Sequence, residues 1–302
     1  MNLLIGSRGS SLALWQAEWV KERLERIGVN AQIKIIKTTG DKLAGALPVE
    51  PGSKGLFIKE IEEALAEGIV DVAVHSLKDL PVEQPPGLWV AAIPPREDAR
   101  DVLISRRGET LAALAPGSRI STSSLRRAAQ LRSLRADVVP VPMRGNVDTR
   151  LAKLDRGDCD ALAMAAAGIH RLGFKSRITE YFAPERLCPA VGQGALAIEV
   201  RRGDSRVEEA VRTLDDARTR IAVTAERSAL RRLGGGCQTP IAAYARIEDG
   251  RLEMLGVVAS PDGARVVRAR SSGAPEGAEA AGAELAEKLL AAGANEILDA
   301  LS

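Results

Sequence analysis

Histidine occurs only twice in the chain, at His75 and His170, and cysteine three times, at Cys159, Cys188 and Cys237. There is no CxxC and no HExxH, so the common Cys/His zinc spacings have no ligand set and no metal is expected. A catalytic triad would have to draw its base from those two histidines. Three widely spaced cysteines in 302 residues do not make a disulfide framework and read as reduced thiols, one of them open to a reactive role. Eight aromatic residues are too few for the stacking platforms of single-strand nucleic-acid binders. A net charge of +2, from 42 basic and 40 acidic residues, gives no bulk attraction to nucleic acid or membrane. The longest nearly apolar stretch, Ala161 to Ile169, is far short of the ~20 residues that span a bilayer. The N-terminus lacks a basic segment followed by an apolar one, so the expectation is a soluble, cytoplasmic protein.

What the chain does have is a globular composition, 45% hydrophobic and 27% charged, and length enough for two or three domains. It also has arginine, which makes up 32 of the 42 basic residues. Such a bias can reflect genome composition or thermal adaptation. The planar guanidinium fork is also matched to carboxylates and phosphates, so position decides.

Strand and helix alternate from the start: strand Leu3–Gly6, amphipathic helix Ser11–Ile27 and strand Ala31–Lys37, with Ile33 and Ile35 inward. Helix Leu56–Glu67 and strands Asp71–Val74 and Leu88–Ile93 follow. Thr38–Gly55 has no period and is rich in Gly, Pro, Lys and Ser, and reads as a mobile loop. Pro94–Arg100 reads as a hinge into a second set: strands Val102–Ser105, Arg119–Ser121, Val138–Val141 and Ala161–Ala165, with helices Ser124–Arg135 and Asn146–Arg156. Pro189–Gly194 reads as a second hinge, into strand Ala195–Val200. A helix Ile221–Leu233 then leads to three strands, Ala242–Ile247, Leu252–Ala259 and Ala264–Arg270, joined at the hairpin signals Asp249-Gly250 and Asp262-Gly263. An Ala-rich helix, Ala278–Ala292, closes the chain.

The expected fold class is α/β: two doubly wound, mostly parallel lobes crossed twice by the chain, with ligands at the carboxyl ends of the strands. A small C-terminal α+β domain, a three-stranded antiparallel sheet with helices, completes it. Expected domain bounds are 1–94 with 195–213, then 100–188, then 217–302.

Gly6-Ser7-Arg8-Gly9-Ser10-Ser11 joins the first strand to the first helix, where Ser10 or Ser11 can cap the helix beside Arg8 and leave an anion site. Ser121-Thr122-Ser123-Ser124-Leu125-Arg126-Arg127 repeats the arrangement. Two arginines in a first helical turn oppose the helix dipole, which points to an anionic ligand. Arg144, Gly145 and Arg150 lie at a third strand-to-helix junction, and Arg171 follows a fourth strand. Each alone also fits a cap or a solvated charge. Together they suit a ligand with many carboxylates or phosphates.

Lys78 and Asp79 end a buried strand, and an acid among cations stays ionised, suited to stabilising a developing cation or to proton transfer. An ordinary turn with a salt bridge fits that pair equally well, and His75 beside it reads as structural. In Gly234-Gly-Gly-Cys237-Gln-Thr-Pro240 the glycines let backbone and thiol approach a large ligand, which makes Cys237 a candidate for covalent attachment. Cys159 reads as a small buried hydrophobe, and Cys188 at the hinge fits either role.

The ordered set Leu12-Ala-Leu-Trp-Gln16, Gly52-Ser-Lys-Gly-Leu-Phe-Ile-Lys-Glu60, Val74-His-Ser-Leu-Lys-Asp79, Thr122-Ser-Ser-Leu-Arg-Arg127, Arg144-Gly-Asn-Val147, Thr149-Arg150, Pro189-Ala-Val-Gly-Gln-Gly-Ala195, Thr224-Ala-Glu-Arg227 and Gly235-Gly-Cys-Gln238 resembles the porphobilinogen deaminase (hydroxymethylbilane synthase) family. The resemblance covers essentially the whole chain. It implies three domains, the first two like type II periplasmic binding proteins, and a monomer. It also implies a dipyrromethane cofactor, held by a thioether to Cys237 and made from the enzyme's own substrate.

The implied reaction joins four porphobilinogen molecules head to tail with loss of ammonia, and hydrolysis releases hydroxymethylbilane for heme and other tetrapyrroles. Each ring carries an acetate and a propionate, so six rings bring twelve carboxylates to one site, which suits bidentate arginines. By family match Asp79 stabilises the cation left by ammonia loss, and Lys78, Ser76 and Ser10 bind carboxylates. Thr122, Ser123 and Ser124 are donors to the cofactor, and Gln16, Gly145 and Gln193 join Arg8, Arg126, Arg127, Arg144, Arg150 and Arg171 as binding residues. Thr38–Gly55 matches a mobile active-site loop, with Asp41, Lys54 and Lys59 in or beside it. The rival readings are a non-catalytic bilobed anion-binding module, which leaves the C-terminal domain and the Cys237 loop unexplained, and a phosphoryl-transfer enzyme, which lacks a GxxxxGK[ST] loop.

Overall fold

A computed structural model describes residues 1–39, 58–236 and 239–301. The expected loop after Thr39, with Asp41 and Lys54, lies outside the described residues, as do Cys237 and Gln238. The chain forms two compact units, Met1–Arg96 with Ala195–Arg220, and Glu97–Gly194 with Ile221–Ser302.

The first unit opens with β1 (Asn2–Ser7), α1 (Ser11–Arg26), β2 (Asn30–Ile35), α2 (Lys59–Ala66), β3 (Val72–Ser76) and β4 (Leu88–Ala92). The chain then enters the second unit as β5 (Asp101–Ser105), β6 (Arg119–Ser121), α3 (Leu125–Leu134), β7 (Val139–Val141), α4 (Val147–Arg156), β8 (Ala161–Ala165), α5 (Ala166–Arg171) and β9 (Glu180–Tyr181). It returns to the first unit for β10 (Leu196–Arg201), α6 (Ser205–Arg212) and the start of α7 (Ala217–Arg232). It ends in the second unit with β11 (Ile241–Glu248), β12 (Arg251–Ala259), β13 (Val266–Gly273), α8 (Ala278–Ala291) and α9 (Ala294–Asp299).

The two five-stranded sheets share one plan, β2-β1-β3-β10-β4 and β7-β6-β8-β5-β9. In each, one strand runs antiparallel to both its neighbours: β10 against β3 and β4, and β5 against β8 and β9. Those are the two strands that follow a crossing between units. Each arrives through an extended segment rather than a crossover helix, so no parallel connection constrains its direction.

Side-chain periodicity sets the layers. Ala17, Val20 and Leu24 of α1 bury against Leu3, Ile5, Val72 and Val74 on one face of the first sheet. Ile61, Ala64 and Leu65 of α2 cover Ala73 on the other. The alternation along β3 therefore sends Val72 and Val74 one way and Ala73 and His75 the other. In the second unit β5 and β8 supply residues to cores on both faces of their sheet. A separate core joins α7, α8 and α9 to the antiparallel β11-β12-β13 sheet. The β11–β12 turn has left-handed Asp249 and Gly250 (φ 49° and 76°), as a two-residue hairpin of this twist requires.

Two local expectations are corrected. Ile35 is 54% exposed rather than inward, because it is the last residue of an edge strand with a neighbour on one side alone. The Ala-rich helix does not close the chain: Gly293 takes a left-handed conformation (φ 94°) and α9 follows it.

Candidate active site

In the first unit the strand-to-helix junctions build a pocket of about 90 Å³ lined by Arg8, Ser10, Gln16, His75, Ser76 and Asp79, among others. Ser10 caps α1, its hydroxyl accepting from Ala13 N at 3.4 Å. Gln16, one turn and a half further on, is buried, and its Nε2 donates to Ser76 Oγ at 2.9 Å. That bond ties the first helix to the end of β3. Immediately after β3 a single tight turn, Leu77–Asp79, presents Lys78 and Asp79. The turn is anchored by Leu77 N donating to Ala195 O at 3.0 Å and Leu80 N to Leu77 O at 3.1 Å. Buried Leu77 and Leu80 leave Asp79 exposed at the pocket's lip. Five residues singled out in the sequence therefore meet here, with Lys78 in the same turn.

His75 is 5% exposed, and its Nε2 lies 3.1 Å from Oε2 of Glu199, which is fully buried on β10. Glu62 on α2 is near enough to feel both. Burial first, and then the Glu199 charge, push its carboxyl up to about 6, against a lowering by His75.

In the second unit Ser124 caps α3, accepting from Arg127 N at 3.4 Å. Thr122 Oγ1 accepts from Ser124 N at 3.2 Å, and Ser123 Oγ donates to Met143 O at 2.9 Å. Arg126 and Arg127 are buried around Asp101, the first residue of β5: Arg126 Nη1 donates to Oδ2 at 2.6 Å and Arg127 Nε to Oδ1 at 2.7 Å. Gln193 accepts from Arg127 Nη2 at 3.1 Å and donates to Ala99 O at 2.7 Å and to Asp101 Oδ1 at 3.0 Å. Burial alone would raise the Asp101 carboxyl, but the two guanidiniums outweigh it and hold it at about 2.

Arg150 and Arg171 are both pulled down in pKa by burial. Arg150 Nε donates to Gly145 O at 2.8 Å, and burial and then the charge of Arg127 lower its pKa, with no carboxylate of the described residues opposing them. Gly145 has φ 120°, and a Cβ there would lie 2.7 Å from Thr149 Cγ2, so only glycine fits the bend. Arg171 Nη2 donates to Gly194 O at 2.8 Å, and burial drives its pKa down to about 10, against a raising by Glu97. Arg144 is exposed, and its carbonyl accepts from Lys153 Nζ at 3.0 Å. Arg126 Nε is buried without a hydrogen-bond partner. Buried cations that repel one another and an orphaned guanidinium donor are the surroundings an anionic cofactor fits.

Beside Cys237, Gly236 N donates to Thr239 Oγ1 at 3.2 Å and Thr239 Oγ1 to Gly236 O at 2.7 Å. A Cβ at Gly235 would collide with Ile241 Cδ1. Cys188 and Cys159 are buried, and burial raises both thiols, Cys159 to about 11. Neither is a reactive thiolate.

Sequence reading missed Asp101, Glu62 and Glu199. Glu199 left a signal, a lone charge inside the apolar run Ala195–Val200. Asp101 left none, since an acid opening a strand is an ordinary strand end. No helix among the described residues is long and apolar enough to cross a membrane.

Each unit thus carries its own anion-binding features: a capped helix start and one acid at a pocket's lip in the first, and a capped helix start with buried arginines in the second. Residues 3–209 match the family model "Porphobilinogen deaminase, dipyromethane cofactor binding domain" and residues 220–291 match its C-terminal domain. The chain is 50% identical over 301 residues to the porphobilinogen deaminase of Syntrophotalea carbinolica, covering 99% of this chain and 96% of that one. It is also 50% identical over 301 residues to that of Moorella thermoacetica, with the same shares covered. The crystal structure of the methionine-binding protein MetQ is similar at a TM-score of 0.46 and 10% identity, over 70% of this chain and 89% of that one. The chain belongs to the porphobilinogen deaminase family, and is thereby a transferase of tetrapyrrole biosynthesis with a dipyrromethane cofactor binding domain.

Proposed function

We propose that the chain joins four porphobilinogen molecules head to tail, one ammonia leaving each, and that water then releases hydroxymethylbilane. The observation that carries this reading is the first-unit pocket, where Arg8, Ser10, Gln16 and Ser76 supply donors around a space with the single acid Asp79 at its lip.

Arg8, Ser10 and Ser76, with Lys78 in the adjoining turn, hold the acetate and propionate of a porphobilinogen. Held in that way, the substrate presents its pyrrole N–H and aminomethyl carbon to Asp79. Ammonia takes the C–N electron pair as it leaves and the ring becomes cationic, a charge that the fixed Asp79 carboxylate stabilises. When bound, the dipyrromethane supplies the free pyrrole α-carbon from which the product chain is grown. We assign its attachment to the Cys237 thiol and its carboxylates to Arg126, Arg127, Arg144, Arg150 and Arg171. Thr122, Ser123, Ser124, Gly145 and Gln193 shape that site. Asp101 keeps two of these guanidiniums oriented when no ligand is present, which lowers the cost of ordering them on binding.

The same reading assigns a cytoplasmic monomer divided into three domains, 1–94 with 195–213, 100–188 and 217–302. Purified chain incubated with porphobilinogen should release four ammonia molecules per tetrapyrrole formed. Binding of porphobilinogen without any ammonia release contradicts the reading and favours a non-catalytic module.

A further inference from the structure

His75 is one of only two histidines in the chain, and no step above uses it. It lines the first-unit pocket together with Asp79 and Arg8. Its one polar contact among the described residues is Nε2 to Glu199 Oε2, at 3.1 Å. A carboxylate can only accept, so this contact puts the proton on Nε2 and leaves Nδ1 as the other functional atom. The register explains the arrangement: β10 pairs Ala197 with His75 and Glu199 with Ala73, so both side chains emerge on the face that α2 covers.

Glu199 is fully buried and its Oε1 has no hydrogen-bond partner. A buried carboxylate with half its capacity unused is costly to keep for packing alone. Glu199 from β10 bonds the imidazole and Glu62 from α2 feels its charge, while Arg8, after β1, and Asp79, in the turn after β3, line the same pocket. Burial and the charge of Glu199 push the Glu62 carboxyl up.

We propose that His75 handles a proton in the condensation, with Glu199 as its positioning residue. The inference rests on the function proposed above. As each C–C bond forms between the incoming aminomethyl carbon and the terminal pyrrole α-carbon, the C–N bond has broken and ammonia has taken its electron pair. The α-carbon must then lose its proton to restore the aromatic ring. His75 Nδ1 accepts that proton and passes it to the departing ammonia, which leaves as ammonium. No oxidant or further reactant is required.

The test has two arms on the holoenzyme. In the first, nitrogen NMR of ¹⁵N-labelled imidazoles reads the tautomer directly, and a His170→Gln variant assigns the two signals. The expected result near neutral pH is a protonated Nε2 and a bare Nδ1 on His75, inverted or mixed in Glu199→Gln. A proton on Nδ1 of the wild type overturns the proposal. In the second arm, His75→Asn should lower kcat by about 10²-fold with KM within threefold, and remove one limb of the pH–rate profile. Unchanged kcat and pH profile, or a loss that follows melting temperature alone, also overturns it. A wild type that releases no ammonia defeats the proposed function instead, and the tautomer measurement then decides the His75–Glu199 relationship by itself.

Discussion

Arg126 Nη1 lies 2.6 Å from Oδ2 of Asp101, and the same carboxylate receives Arg127 through its other oxygen at 2.7 Å. Three charges are thus enclosed at the head of α3, where a helix start would ordinarily attract acids rather than bases. The helix start is tolerable because the acid comes from another strand, β5. An arginine pair that looks in the sequence like a bare anion site carries its own anion, fixed before any ligand arrives.

Removing that anion should be expensive. Asp101→Asn removes the carboxylate that two buried guanidiniums share, and loss of one member of a buried ion pair costs about 3–5 kcal/mol. Chemical denaturation should show that drop with an unchanged dependence on denaturant. A loss below about 1 kcal/mol, the level of an ordinary hydrogen bond, would mean the charges are screened in solution.

Acid should act through the same group. The folded Asp101 carboxyl sits at about 2, below its ordinary 3.8, so its contribution to stability is present above pH 4 and is lost as pH falls toward 2. That contribution is about 2 kcal/mol. Melting temperatures of wild type and Asp101→Asn, followed from pH 5 to pH 2, should draw closer toward the acid end. Curves that stay parallel contradict the assignment.

Arg150 should behave in the opposite sense. It is a partly buried cation beside Arg127 with no opposing carboxylate among the described residues. Arg150→Met should leave the stability of cofactor-free protein unchanged or raise it by up to about 1 kcal/mol, while impairing cofactor assembly. Paired melting and intact-mass measurements separate the two effects. A large loss of stability would make Arg150 a structural residue.

Asp79 is exposed on a turn anchored by backbone bonds and by buried Leu77 and Leu80, so Asp79→Asn should fold as the wild type does. Its kcat should nevertheless fall by about 10²–10³-fold, the scale for removing one group that stabilises transition-state charge. Ammonia release under saturating porphobilinogen measures it. Retention of a tenth or more of wild-type kcat contradicts the role.

The alternation of strands and helices was legible, because apolar periodicity and Gly/Pro punctuation are local. So were the pocket residues Arg8, Ser10 and Asp79, which sit at a helix start and a strand end, while Gln16 and Ser76 came from the segments that carry the family resemblance. The directions of β5 and β10 were less so, since they depend on how the chain crosses between units. The Asp101 partnership joins positions 25 and 26 residues apart across a sheet, and the His75–Glu199 pair joins positions 124 apart. Neither leaves a periodic trace. Ile35 misled because alternation is the same in an edge strand and a central one, while burial is not.

On the function proposed above, this chain builds and keeps a dipyrromethane on Cys237. Intact mass of the denatured protein, beside a Cys237→Ser variant, tests it most directly. After exposure to porphobilinogen the wild type should carry two porphobilinogen units less two ammonias, and the variant should have its bare mass. A wild type that stays at its bare mass, or a variant that gains the same adduct, contradicts the account.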